Sequence, residues 1–195
     1  MRESTISRKT AETDIAVYIN LDGNGESEVN SGVGFMDHML TLLAKHSGFD
    51  IRVRCIGDTN VDDHHSAEDI GIALGQALRD ALGKKIGIRR YGDAIIPMDE
   101  ALVMTAVDLS GRGYLGYELD IPTEKIGTFD TELIEEFFVA ITRSADITLH
   151  LRQFAGRNSH HIAECAFKSF ARAMRAACEI DPRFGNVLPS TKGAL

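Results

Sequence analysis

The chain lacks any run of apolar residues near the roughly 18 that a membrane-spanning helix needs, so no segment reads as a span. Its start, Met1-Arg2-Glu3-Ser4-Thr5, lacks the apolar core of a secretion signal, and the protein is expected to be soluble and cytoplasmic. It also lacks an excess of positive charge. With 21 Lys and Arg against 29 Asp and Glu, the net charge is −8, which argues against nucleic acid and anionic membranes as partners. A small phosphorylated ligand stays open, because a local basic pocket is invisible in a net charge. Cysteine is scarce: Cys55, Cys165 and Cys178 are odd in number and form no CxxC pair. Inert buried thiols are expected rather than a disulfide framework. No linker of Pro, Ser or charge runs interrupts the 195 residues. One domain is expected, with ample core material at 44% hydrophobic content.

What the chain does have is one stretch that occurs twice. His64-His65-Ser66-Ala67-Glu68 and His160-His161-Ile162-Ala163-Glu164 each open a run of helical period. They hold four of the seven histidines. Residues three and four apart share a helix face, so either histidine of a motif can point with its glutamate at one ion. Adjacent histidines differ by about 100° around the axis and so serve two different ions. One such motif reads equally well as a polar first turn. Two copies in matching contexts point to two metal sites, each drawing on both motifs. Nitrogen and carboxylate donors without thiolate suit Mn, Fe, Co, Ni or Zn. His38, in Phe35-Met36-Asp37-His38, stands on the preceding helical run and is a further donor.

Alternation and helical spacing predict strands at 12–21, 28–34 and 49–57 and helices at 35–46 and 64–82. The plan then recurs, with strands at 100–109, 113–119 and 146–153 and helices at 131–143 and 160–177. A shift of 96 residues pairs His64 with His160, His65 with His161, Glu68 with Glu164 and Arg79 with Arg175. An internal duplication follows, with repeats at about 8–90 and 91–186 and an irregular tail at 187–195. Each half is expected to be a small sheet covered by two helices. The two halves join as one α+β sandwich. A shift of 98 pairs His38 with Glu136. Two four-donor sites need eight donors, and Glu136 is the natural eighth beside His38, His64, His65, Glu68, His160, His161 and Glu164.

Cationic residues gather at turns: Arg89-Arg90-Tyr91-Gly92, Ser110-Gly111-Arg112-Gly113 and Pro189-Ser190-Thr191-Lys192-Gly193. Lys168 shares a helix face with Glu164. Such groups beside glycine suit phosphate oxygens.

The set GFMDHML, DDHHSAEDIG, RRYGDAIIPMDEAL, DLSGRGYL, GTFDTELIEEFF, NSHHIAECAFKSFARA and PSTKG, at 34–193, resembles the imidazoleglycerol-phosphate dehydratase family of histidine biosynthesis. Essentially the whole chain takes part, in the manner of the family's stand-alone form. The resemblance implies two manganese ions per active site and a 24-subunit shell with metal sites shared between subunits. It implies loss of water from imidazole-glycerol phosphate, through a metal-held imidazolate and a diazafulvene-like intermediate. By motif match the seven donors named above are metal ligands. Glu12, His46, Arg90, Arg112, Lys168, Ser190 and Lys192 contact substrate, the last five nearest its phosphate. The reacting set is Glu12, His38, His65, Glu68, His161 and Glu164, with Glu12 moving the proton. Many relatives carry His where this chain has Glu136. Two other readings share these features: a dinuclear phosphate-ester hydrolase, and a metal-binding shell protein without turnover.

Overall fold

The computed structural model describes residues 2–183 and 185–195. The chain folds as two copies of one unit. The first runs β1 (Glu3–Lys9), β2 (Thr13–Asn20), β3 (Ser27–Asn30), α1 (Gly34–Ser47), β4 (Asp50–Gly57) and α2 (His64–Leu82). The second runs β5 (Tyr91–Met98), β6 (Ala101–Asp108), β7 (Tyr114–Glu118), the short pair β8 (Lys125–Ile126) and β9 (Phe129–Asp130), α3 (Leu133–Ala145), β10 (Thr148–Ala155) and α4 (Ser159–Cys178). The sheets have matching orders, β1-β2-β4-β3 and β5-β6-β10-β7.

The four helices form the middle of the molecule. β2 alternates strictly between buried and half-buried residues, with Ile15, Val17 and Ile19 turned inward, and β6 repeats the pattern. α2 lies on β1, β2 and β4, and α4 on β5 and β6. The helices then pack across the halves, α1 on α4 and α2 on α3. Within the second half, Phe138 of α3 packs on α4, with ring centroids 4.9 Å from Phe167 and 5.4 Å from Phe170. Each such pair adds roughly 0.5–1.5 kcal/mol beyond its buried area.

The ladder registers locate the repeat residue by residue. The first hairpin pairs Ser4 with Ile19 and the second pairs Gly92 with Val107, a constant shift of 88. The shift becomes 98 for β4 and β10, because Val53 faces Val17 where Leu151 faces Thr105. It is 98 again for α1 and α3, whose left-handed caps are Gly48 and Asp146. The ten residues gained lie between β7 and α3, where β8 and β9 stand. The shift then falls to 96 at α2 and α4, because six residues separate β4 from His64 and only four separate β10 from His160, a connection two residues longer in the first half.

The expected helices are present, with 64–82 matched end for end. The strands need amendment. β1 and β5 do not stand out in the sequence, and β7 pairs with β10 rather than with β6, which its turn joins it to. The Arg89–Gly92 stretch is not simply a loop: Tyr91 and Gly92 begin β5. A Cβ on Gly92 would stand 2.0 Å from the carbonyl oxygen of Ala173, so that glycine serves close packing of β5 on α4. The three cysteines are buried and free.

Candidate active site

α4 begins with a cap that sets its first turn. Asn158 accepts from the backbone N–H groups of His160 and His161 at 2.9 and 3.2 Å, which fixes the backbone of the turn from which both rings project. His160 then turns toward α1, where His38 lies one helix away. Both Nε2 atoms meet the same oxygen, Oε1 of Glu164, His160 at 3.0 Å and His38 at 3.1 Å. Lys168 holds the other oxygen of that carboxylate. Burial would raise the Glu164 pKa, yet hydrogen bonds from Lys168, His38 and His160 outweigh it and bring it down to about 2. The carboxylate is therefore ionised at any ordinary pH.

This cluster fits a divalent cation. One ligand atom from each of His38, His160 and Glu164 lies within 4.8 Å of the others. Donors at right angles about a cation, each at roughly 2.1 Å, stand about 3 Å apart, close to the spacings seen. Two imidazoles and one carboxylate suit manganese or its neighbours.

The repeat gives this triad a counterpart. Glu136, His64 and Glu68 occupy on α3 and α2 the positions of His38, His160 and Glu164. Their side chains make no hydrogen bond or ion pair among the described residues, and no second cluster of three donors forms there. The remaining motif histidines point elsewhere. The rings of His64 and His65 stand edge to face, 6.2 Å apart. His65 directs Nδ1 at Asp58, 3.1 Å from both oxygens, and Nε2 toward Glu12 at 3.6 Å. The bond that Nδ1–H donates to Asp58 raises the His65 pKa. His161 directs Nδ1 at Glu100, 2.7 Å away. That bond first, and the N–H of Asn158 next, hold the Glu100 pKa near 2. Asp58 and Glu100 carried no sequence signal as isolated acids; only their place beside the second histidine of each motif reveals them.

The cationic turns gather at the far end of α4. Arg90 takes a left-handed backbone conformation, φ 73°, a strained one for a non-glycine residue. Its guanidinium donates to Asp108 at 2.7 and 3.2 Å and to the carbonyl of Pro189 at 2.8 Å. Ser190 Oγ donates to the Ala194 carbonyl and accepts from the Lys192 N–H. The tail ends at Leu195, packed on Gly111 beside the exposed Arg112. Arg90, Arg112, Ser190 and Lys192 thus share one neighbourhood. Lys168 stands instead with Glu164. Burial, then the charges of Lys168 and Arg172, lower the His46 pKa, which favours its neutral ring.

Length separates the two groups. Arg90 N–H bonds the carbonyl of Ala177, and the 17 steps of helix from His160 to Ala177 span about 25 Å. One small substrate cannot touch both ends within one chain.

Comparison with known proteins places the chain. The family model described as imidazoleglycerol-phosphate dehydratase matches residues 31–174. The dehydratase of that name from Jannaschia sp. strain CCS1 is 61% identical over the full length of both chains. That of Prochlorococcus marinus strain NATL1A is 56% identical over 194 residues, 96% of its length. Among solved structures, the Staphylococcus aureus enzyme superposes with TM-score 0.84 at 42% identity, covering 92% of this chain and 99% of its own. The Pyrococcus furiosus enzyme, in complex with (S)-C348, does so with TM-score 0.84 at 39% identity, covering 97% and 100%. The fold is that of these enzymes, and their name makes the class a dehydratase, a carbon–oxygen lyase of the hydro-lyase type. Within that class the chain belongs to the imidazoleglycerol-phosphate dehydratase family.

Proposed function

We propose that the protein converts imidazole-glycerol phosphate to imidazole-acetol phosphate and water in histidine biosynthesis, with two manganese ions per active site. The convergence of His38, His160 and Glu164 carries this reading, together with the names of the relatives. Glu136, His64 and Glu68 would supply the second triad, and His65 and His161 the outward donors. Manganese, when bound, supplies Lewis acidity toward the substrate imidazole and a template for it. Glu12 is exposed on its turn and moves the proton, being free to accept it. His46 contacts the substrate. Arg90, Arg112, Ser190 and Lys192 take the phosphate, Lys168 assisting from the Glu164 side.

The 25 Å between the two ends of α4 favours sites completed between subunits, with the cationic group of one chain facing the metal triad of another. A 24-subunit shell is the assembly this reading adopts, on family resemblance. Among the described residues, no helix is long and apolar enough to cross a membrane.

The decisive assay supplies purified protein and manganese with imidazole-glycerol phosphate. A ketone formed without inorganic phosphate supports dehydration. Phosphate release would favour the hydrolase, and bound metal without turnover a shell protein. Sizing the same preparation tests sharing: chelation at low pH should give smaller species, and manganese should restore the shell by mass action.

Arg112→Ala and Lys192→Ala are each expected to lower kcat/KM about tenfold or more, since a charge-assisted phosphate bond contributes roughly 1.5–3 kcal/mol. Manganese content should not change. Wild-type kinetics at limiting substrate would remove that residue from the pocket. Glu136→Ala should lose one of two manganese ions per subunit by elemental analysis, while Glu136→His keeps both. Two ions held in the alanine variant, with unchanged turnover, would assign the donor elsewhere.

A further inference from the structure

The constant shift of 88 in the two hairpins makes Glu12 and Glu100 the same position, each just before the second strand of its hairpin. The structure uses them differently. Glu100 is fully engaged: Oε2 holds His161 Nδ1 at 2.7 Å, and Oε1 accepts the N–H groups of Asn158 at 2.8 Å and Arg157 at 3.2 Å. Glu12 makes no hydrogen bond through its carboxylate among the described residues, and it approaches the opposite nitrogen of its histidine, Nε2 of His65. The Nδ1 of His65 is taken by Asp58. Asp58 lies in the loop between β4 and α2, in the connection to His64 that is two residues longer than its counterpart to His160.

The anchoring of the two turns differs in the same sense. The turn bearing Glu12 is tied down by Thr13 Oγ1, which donates to the buried Asp69 at 2.5 Å, and by Arg8, paired with the same carboxylate. The equivalents in the second half are Ala101 and Cys165, whose only link is a weak Sγ contact to a carbonyl at 3.8 Å. There Glu100 itself ties its turn to α4. The first half therefore has a separate anchor and a separate partner for the histidine, and its glutamate is left over.

We propose that Asp58 and Glu100 are positioning residues with one job in the two halves: each accepts the Nδ1–H of the second histidine of its motif and aims Nε2, bare, at a cation, and the longer loop that brings Asp58 releases Glu12 for proton transfer. An ionised carboxylate only accepts, so Nδ1 carries the proton in both rings. That tautomer is the one a ligand histidine adopts when its other nitrogen is held by a carboxylate. The inference rests on the metal-dependent reading above for its consequence, though not for its geometry.

The test begins on metal-free protein labelled with ¹⁵N-histidine. Solid-state NMR should show Nδ1–H on His65 and His161. Asp58→Ala should lose it at His65 only, and Glu100→Ala at His161 only. Manganese titration followed by electron paramagnetic resonance should then show affinity falling about 10- to 100-fold in each variant. Glu12→Gln should keep both tautomers and wild-type manganese affinity while kcat collapses. Nε2–H without Nδ1–H on either ring in wild type, or manganese affinity in Glu100→Ala equal to wild type, would overturn the proposal. So would a Glu12→Gln variant that loses the His65 tautomer. Should Glu100→Ala not fold, Glu100→Gln keeps the side-chain size; its neutral amide holds Nδ1–H more weakly, so an unchanged manganese affinity there also refutes the idea. If wild type binds no manganese, the functional reading fails, and the tautomers still decide the positioning role.

Discussion

Glu164→Ala is expected to abolish turnover, with kcat/KM lower by about a thousandfold or more, equivalent to some 4 kcal/mol at 1.36 kcal/mol per decade. One carboxylate gathers His38, His160 and Lys168. Without it two imidazoles lose their common partner and a largely buried ammonium loses its counter-charge. Manganese should leave this site, because a direct donor matters more than the outer partners whose loss costs 10- to 100-fold. The variant should still fold, which circular dichroism will check. Wild-type manganese stoichiometry in Glu164→Ala would sink the triad as a metal site. A pH signature accompanies it. The Glu164 carboxyl is lowered from 4.5 to about 2. A group with a lowered native pKa contributes stability that is present above its unfolded value and fades as pH falls toward the native one. The metal-free protein should therefore lose this contribution between about pH 4.5 and pH 2, and Glu164→Gln should show a shallower acid dependence in urea unfolding.

The second large effect concerns the seam between the halves. On α2, Gly71 and Gly75 face α3 with almost no gap. A Cβ on Gly71 would lie 2.8 Å from Ala140 Cβ and 2.9 Å from the Phe137 carbonyl oxygen. One on Gly75 would lie 2.7 Å from both the Ile141 carbonyl oxygen and Ser144 Cβ. Backbone cannot yield as a flexible side chain does. Valine at either position must force the helices apart, and overpacking of this kind costs typically 1–3 kcal/mol and occasionally more. The gain from removing a helical glycine, at most about 1 kcal/mol, does not offset it. Gly75→Val should lower the Tm of metal-free protein by roughly 5–10 °C, at about 2–4 °C per kcal/mol for a chain of this size. Gly34→Ala, where a Cβ meets nothing within 4 Å, is the control expected to hold its Tm. An unchanged Tm in Gly75→Val would show that the two halves tolerate separation. Because α2 carries His64, His65 and Glu68 and α3 carries Glu136, this seam also sets the distance across the open triad.

By itself the sequence determined the duplication, the span of every helix to within a few residues, the histidine–glutamate motifs and the family they resemble. Helical periodicity is a strong local signal, and α2 shows it from His64 to Leu82. The register that sets Glu136 opposite His38 was also legible, since both sit before a bulky apolar pair. Only the tertiary structure decided the rest. β1 reads Glu-Ser-Thr-Ile-Ser-Arg-Lys and shows no fully buried face; it is a strand because β2 offers it a ladder, and pairing is a long-range fact. β7 lies beside β10, thirty residues on, for the same reason. The spacing of His38, His160 and Glu164 depends on α1 meeting α4 across the seam. The unequal fates of Glu12 and Glu100 depend on loop length and on one buried carboxylate, Asp69. No local pattern distinguishes two glutamates at equivalent positions, because the difference lies in what folds against them.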